Sequence, residues 1–390
     1  MHCFYNKQYF FLFLSCISYT KIVNIKRIIG NIRRKSNLYE NLKGGEAKKK
    51  LVFIRRNRKL QNKNQLTSPE IANLWTHYIR ETLSVCVNKY MLHTIQDPEI
   101  HSLFQTALQY SLKHIAALKA LFKKEKFPIP KGFTEEDVNL EAPPLFTDVL
   151  CLKSLYMMST HGHNEHSLAF TTSIRQDIVD FYYQCNLDAM AIYKRSKDLL
   201  ISKQLYQQPP TYITPKKAGM IKQYHYVTDV FGKKRPMNAI ESGHTFFNLN
   251  KVMISKAMIL GFTQVSKNPN VRTLLDKGVQ ATNKHITTFS SLLAKENIHL
   301  PKSDETEITN STVSPFSDRL MLLQTGFFFG VAVTYFNAAL ISSMRADIAA
   351  HNEKAALASL WIFNRIGKEM IDNQWMEQPP QADDRKRLNH

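Results

Sequence analysis

Glycine and proline are scarce in this chain, at 13 and 15 of 390 residues. That scarcity argues against a loop-rich β protein and favours long helices. Cysteine is scarce too. Cys3, Cys16, Cys86, Cys151 and Cys185 are odd in number and none forms a CxxC pair, which excludes a disulfide framework. The last three fall inside helical patterns, where a free cysteine acts as a small hydrophobe, and this suits a reducing compartment. Acids are nearly missing from the start: residues 1–65 hold 16 Lys/Arg against only Glu40 and Glu46. That segment carries +14 of the formal +20, leaving +6 on all the rest. A body so weakly basic has no electrostatic footprint for nucleic acid. There is no P-loop, no dinucleotide glycine pattern and no nucleophile elbow. No Ser/His/Asp spacing singles out a triad.

The opening stretch does not read as a folded domain. An apolar run from Tyr9 to Tyr19 resembles a signal-peptide core, is too short to span a bilayer as a helix, and lacks a small-residue cleavage site after it. Gly44-Gly45-Glu46 would be encoded by a string resembling a bacterial ribosome-binding sequence, and Leu51 or Val52 by an alternative start codon. Residues 1–50 are therefore expected to be untranslated leader, with an anchor or a disordered basic arm as the alternatives.

What the chain does have is a repeat. "KHIAALKALFKKEKFPIP" from Lys113 returns as "KHITTFSSLLAKENIHLP" from Lys284, and Asp97-Pro98-Glu99-Ile100 returns as Asn268-Pro269-Asn270-Val271, all 171 residues later. "LFTDVL" at 145–150 matches "PFSDRL" at 315–320, "SIRQDI" at 173–178 matches "SMRADI" at 343–348, and "QQPP" at 207–210 matches "EQPP" at 377–380, now at an offset of 170. Ordered matches at nearly constant spacing indicate duplication.

Each copy divides into four long helical stretches. In the first, Ser68-Pro69-Glu70 and Asp97-Pro98-Glu99 carry a cap, a first-turn proline and an acid at the positive end of the dipole. Pro128 and Pro130 stop the second helix, and "GFTEEDVNLEAPP" follows as a long connection. Thr147-Asp148 opens the third helix. Ser173 and Gln176 have capping-box spacing for the fourth, which ends near Leu205. The second helix shows an apolar stripe through Ile100, Leu103, Phe104, Ala107, Leu108, Ser111, Ile115, Leu118 and Phe122. The second copy repeats the pattern at about 238–266, 268–297, 317–342 and 344–374.

The expected fold is all-α: two tandem ferritin-like up-down four-helix bundles, the long connection serving as a crossover. The expected divisions are a basic leader at 1–65, a bundle at 66–208, a linker at 209–237, a second bundle at 238–380 and a polar tail at 381–390. Tyr212, Tyr224, Tyr226 and Phe231 should make the linker pack instead of swinging freely. Residues 320–344 hold no charge, a length that could span a bilayer. The matching helix of the first copy carries Lys153, His161, His163, Glu165 and His166, so a buried helix is favoured and no integral membrane span is expected.

Ferritin-like dimetal bundles use a Glu from each of two helices and Glu-x-x-His from the other two. Here the shared His114 and His285 lie on the apolar stripe, but Ser111 and Thr282 stand three residues earlier, so the standard di-iron pattern is absent. The simplest role for each His is a core imidazole bonded to that hydroxyl. The first copy adds "HGHNEH": His161, His163, Glu165 and His166. With His114 they offer a nitrogen-rich site suited to zinc, copper or nickel. Arg175 and Arg345, with Asp177 and Asp347, recur at the corner before each fourth helix, where the Arg could cap carbonyls or reach Asp148 and Asp318.

Several strings, among them "SPEIANLW", "FPIPKGFTEEDVNLEAPPLF", "GKKRPMNAIE", "STVSPFSD" and "EQPPQADDR", resemble the domain of unknown function 3231 family of Bacillus-type spore formers. The resemblance covers about residues 66–385 and implies two ferritin-like repeats similar to the spore coat protein F type. It implies no activity and no catalytic residues. The leading expectation is a non-enzymatic structural or interaction protein, cytoplasmic or spore-associated, with protein partners or self-association and no cofactor. The rivals are a metal-binding bundle or divergent oxidase using the His cluster, and a membrane-associated or spore-surface protein.

Overall fold

A computed structural model describes residues 65–222, 226 and 234–381. The leader, together with Tyr224 and Phe231 of the linker, lies outside the described residues. The described residues from Leu66 onward belong to one compact unit. Among the described residues there are eight long helices: α1 (Ser68–Thr94), α2 (Pro98–Glu125), α3 (Asp148–Thr172), α4 (Gln176–Ser202), α5 (Ala239–Val265), α6 (Pro269–Lys295), α7 (Asp318–Ser342) and α8 (Ala346–Asp372). The second four repeat the first four at offsets of 171, 171, 170 and 170. The fold is the duplicated helical bundle that the repeat implies.

Local chemistry sets the helix starts. Asp97 caps α2 by accepting the amides of Glu99 and Ile100 at 2.9 and 3.2 Å, and Asn268 does the same for α6. Thr67, one residue before the expected Ser68, forms a capping box with Glu70. Ser173 does not cap α4. Its hydroxyl turns back to Ala169 O at 2.7 Å, and Arg175 occupies the N-cap position, its side chain making no capping bond to the helix amides. The amides of Ile174 and Arg175 are taken instead by Glu70 Oε1, reaching over from α1. Glu241 repeats this for Met344 and Arg345.

These contacts fix the topology. Asp148, opening α3, accepts the amides of Gln96 and Asp97 at the start of α2, so α2 and α3 start at one end of the bundle. Glu70 brings the starts of α1 and α4 together at the other end. The order is therefore up, down, down, up, and the connection 126–147 is the crossover that returns the chain to the first end.

The two bundles interlock through these crossovers. Short 3₁₀ turns at Glu135–Asp137 and Glu305–Glu307 each dock on the third helix of the other copy. Thr147 donates its amide to Glu307 O at 3.0 Å, and Ser317 donates its amide to Asp137 O at the same distance. Isolated antiparallel bridges, Val138 with Phe316 and Phe146 with Ile308, extend the exchange. The repeated QQPP/EQPP strings also have a place here. Gln207 Oε1 accepts the Lys302 amide at 3.2 Å, while the Glu377 carboxylate accepts the amides of Lys131 and Gly132 at 2.6 and 2.7 Å. A buried ion pair, Lys153 with Asp304, crosses the same junction.

The largest apolar core is continuous across both copies, joining Tyr90, Met91, Phe104 and Met157 to Phe262, Leu275, Met321 and Phe329. α7 is long and apolar enough to cross a membrane by length and composition, and a third of its most apolar window is buried. Its first half is core (Leu320, Met321, Leu322, Phe328 and Phe329), whereas Ile341 near its end is exposed. Gly326 and Gly330 admit α8 closely: a Cβ there would stand 3.2 Å from Ile366 and 3.3 Å from Phe363. In the linker, Tyr212 OH donates to Ser242 Oγ at 2.8 Å, and Tyr226 stacks under Arg235 at 3.9 Å.

Candidate metal centre in the first bundle

Bundle one holds a cluster of ionisable side chains, with contributions from all four of its helices. His77 and Glu81 lie one turn apart on α1, a spacing that places them on one face. His114 comes from α2, His166 from α3, and Cys185 and Asp188 from α4. All six are buried. Glu81 Oε1 sits between two imidazoles, 2.9 Å from His77 Nε2 and 2.8 Å from His114 Nδ1. His114 Nε2 reaches Asp188 Oδ2 at 3.0 Å, so both of its ring nitrogens face carboxylates. The His77 ring lies 4.6 Å from that of His166. Ligand atoms of His77, Glu81 and His166 fall within 4.8 Å of one another, as do those of His77, His114 and Cys185.

Charge separates these groups into two kinds. Burial pushes the pKa of His77 down, and that of His166 well down, so both imidazoles are neutral at pH 7. Burial opposes charge on His114 as well, but Cys185 and Glu81 beside it outweigh that and lift it to about 11. The two carboxylates that touch its ring hold this charge, while burial raises the Cys185 thiol and keeps it protonated. Burial works against ionisation of Glu81, yet its hydrogen bonds to His114 and His77 leave its pKa well below the usual range. A buried nitrogen of His77, Nδ1, has no hydrogen-bond partner among the described residues. Buried polar atoms are seldom left so.

Two neutral imidazoles and one carboxylate form a three-ligand set with room for further ligands, the type used by catalytic zinc and by non-haem iron(II). His114 then serves as the outer partner that orients Glu81, and Asp188 orients His114 in turn. A cavity of about 170 Å³ adjoins the cluster, lined by His77, Glu81, His114 and His166 and continuing toward Met258 and Phe262 of the second copy.

The residues singled out from sequence are distributed differently. His114 and His166 are brought to the cluster, their rings 6.2 Å apart. His161 lines the cavity but turns to the junction, 5.7 Å from Tyr335, and burial with Lys251 nearby keeps it neutral. Glu165 is engaged by Arg80. His163 is not among the residues lining the cavity. His285 sits in the other bundle, 5.3 Å from the Phe336 ring. The hydroxyl role expected for the shared histidines is not what the structure shows. His114 turns to Glu81 and Asp188, because carboxylates hold an imidazolium better than Ser111 does. Thr282 donates to Val279 O, and His285 meets Ser359 at 3.5 Å. Nor do the corner arginines reach Asp148 or Asp318. Arg175 pairs with Asp177 and Glu125, Arg345 pairs with Asp347 and Glu296, and Asp148 and Asp318 are occupied by backbone amides.

His77, Glu81, Cys185 and Asp188 carry no Glu-x-x-His signature. The signal for them lies in comparing the copies. In the register of the repeat their counterparts are Asn248, Val252, Ala355 and Ala358, and that of His166 is Phe336. Of the cluster, the second bundle keeps His285 alone. Asn248 there bonds weakly to Asn352 at 3.4 Å.

The fold and cluster define an interlocked tandem pair of crossover four-helix bundles, one polar-centred and one apolar-centred. The chain belongs to the DUF3231 family of proteins of unknown function, which matches it twice, over residues 56–218 and 225–388. A solved structure from Bacillus halodurans C-125, described as a "putative spore coat protein", is similar to part of this chain. It shares 16% identity, covering 38% of this chain and 98% of its own, at a TM-score of 0.35. No curated protein matches the chain.

Proposed function

We propose that this chain is a metal-binding protein in which bundle one holds a divalent transition metal on His77, Glu81 and His166, and bundle two is the scaffold that closes the site. The observation that carries this is the asymmetry of the repeats: the ionisable cluster is present in one copy and replaced by Asn248, Val252, Phe336, Ala355 and Ala358 in the other. A bundle of this kind needs no ionisable cluster at its centre in order to fold, as bundle two illustrates. Five ionisable groups gathered on one cavity, with Cys185 beside His77 and His114, therefore point to a ligand. Metal content is the test. The full chain, purified without a His tag and exposed to zinc, iron, manganese and copper, should retain about one ion. His77→Ala should lose it, and His285→Ala should not. Retention by His77→Ala, or no retained ion at all, overturns the proposal.

The non-enzymatic interaction role keeps separate support from exposed apolar residues on α8, where Leu357, Trp361 and Ile371 are 61, 48 and 61% exposed. Light scattering of the chain and of Trp361→Glu tests self-association through that face. Spore association belongs to the same proposal and is supported by the resemblance of the repeat strings; an immunoblot across sporulation tests it.

A further inference from the structure

The cavity beside the cluster has two ends of different chemistry. One end is formed by the His77, Glu81 and His166 side chains. The other is apolar and is built by both copies: Phe104, Leu155, Met158 and Ile192 from the first, Met258 and Phe262 from the second. A purely structural metal needs neither the space nor the second bundle's contribution, since structural sites are closed by four protein ligands. Resting on the metal reading above, we infer that the chamber takes a short-chain monocarboxylate, its carboxylate on the open face of the ion and its alkyl tail in the apolar space between the bundles.

Charge selects the head group. A divalent ion on Glu81 leaves one positive charge at the site. Around it, Arg80 is paired with Glu165, and Asp188 faces Lys113 as well as His114. One anionic oxygen group offsets the charge that Glu81 leaves on the ion. A second carboxylate would have to lie in the apolar end, and a neutral alcohol would leave the ion's charge unmatched, both costly away from water. Hard oxygen ligands also suit the open positions of zinc or iron(II) beside nitrogen donors.

Volume selects the tail. A dry protein cavity of about 150 Å³ accommodates a benzene-sized molecule. At about 170 Å³, this chamber has space for a comparable number of heavy atoms. An acid of about four to six carbons fits that space, acetate leaves the apolar end empty, and a ten-carbon chain exceeds it. Each methylene transferred from water into such a space strengthens binding about fourfold until the space is full.

The test uses the full chain loaded with cobalt(II), whose d–d absorption reports ligands on the ion. Acetate, butyrate, hexanoate and decanoate are titrated in turn. The expected result is a saturable band shift whose affinity rises at least tenfold from acetate to hexanoate and falls again at decanoate. Ala107→Phe, at a position that lines the chamber two turns before His114 on α2, should retain cobalt and the acetate response while losing the preference for hexanoate. Ile192→Trp is the second such variant should the first fail to fold. A cobalt protein whose band no monocarboxylate moves, or which binds hexanoate no tighter than acetate, overturns this inference and leaves the metal reading standing. A chain that takes up no cobalt overturns both.

Discussion

The carboxylate of Glu70, in the first turn of α1, accepts the backbone amide of Arg175 at 2.8 Å, at the start of α4. The same oxygen accepts the Ile174 amide at 2.9 Å, and the other closes the capping box with Thr67. One buried side chain thus satisfies orphan donors of two helices. Glu241 does the same in bundle two and adds a two-bond pair with Arg235 at 2.7 and 2.8 Å. Glu70→Ala should destabilise the protein by about 2–3 kcal/mol, because buried amides are left unpaired. Glu241→Ala should cost more, because it also removes the two-bond ion pair with Arg235. Chemical denaturation of the two variants checks the order; equal losses would mean that the Arg235 pair contributes nothing.

Much of this fold is legible in the sequence. The repeat offset, the Pro-marked starts of α2 and α6, and the length of the 126–147 connection specify two crossover bundles. The Ser173 cap was not legible as absent, because the competing acceptor, Glu70, lies about a hundred residues away in sequence. The same limit hid the cluster. His114 and His166 stand out through the repeat and the HGHNEH string. His77 and Glu81 sit on α1 at a spacing that also suits an ordinary surface pair, and only folding brings them to His114. The interlock was invisible for the same reason: nothing in Thr147 or Ser317 announces a partner in the other copy.

Lys153 and Asp304 form a buried ion pair between α3 of bundle one and the crossover of bundle two, with 10 and 2% of their side chains exposed. Burial raises the Asp304 pKa even though Lys153 acts to lower it, so desolvation outweighs the attraction. Lys153→Met should therefore destabilise the chain by about 3–5 kcal/mol, because it leaves an uncompensated buried carboxyl. The double variant Lys153→Met/Asp304→Leu should recover most of that loss. A double-mutant cycle on urea midpoints reads the coupling. If the double variant is as damaged as the single, the junction needs the pair itself and not merely filled volume.

Lys126, Gln204, Asn297 and Gln374 all adopt φ of 57°, each just past the end of a helix, and they are equivalent in the repeat. The left-handed conformation there closes the helix, a place where glycine is the usual residue. A side chain costs about 1 kcal/mol or more in that region, offset in part by glycine's freedom in the unfolded chain. Gln204→Gly and Gln374→Gly should each stabilise the protein by about 0.5–1 kcal/mol. Asn297→Gly should gain less, because asparagine tolerates the conformation better. Thermal midpoints rank the three. A loss on Gln204→Gly would show that its side chain makes a contact worth more than the backbone relief.

His285 is the remnant of the cluster in bundle two, and it gives that bundle an acid sensitivity with a definite sign. Burial, with Lys284 adding to it, lowers its pKa from 6.5 to about 4. The groups facing it are mostly uncharged: Val252 on α5, Phe336 on α7 and Ser359 on α8. Along the adjoining groove lie His351, Lys354 and Lys277, all neutral or cationic. Among the described residues, no carboxylate lines the pockets around the ring to hold a proton on it. The unfolded chain therefore binds a proton that the folded chain refuses between pH 6.5 and about 4. Stability is undiminished above 6.5 and falls as pH drops through that window, by about 2 kcal/mol at pH 5 on the linkage relation. His285→Leu should remove that share of the acid slope while leaving the contribution of the bundle-one histidines in place. Urea midpoints of the chain and the variant at pH 7.5 and 5.0 measure it. The difference between them should widen in the variant's favour at the lower pH, and parallel losses would show that His285 takes up its proton without unfolding.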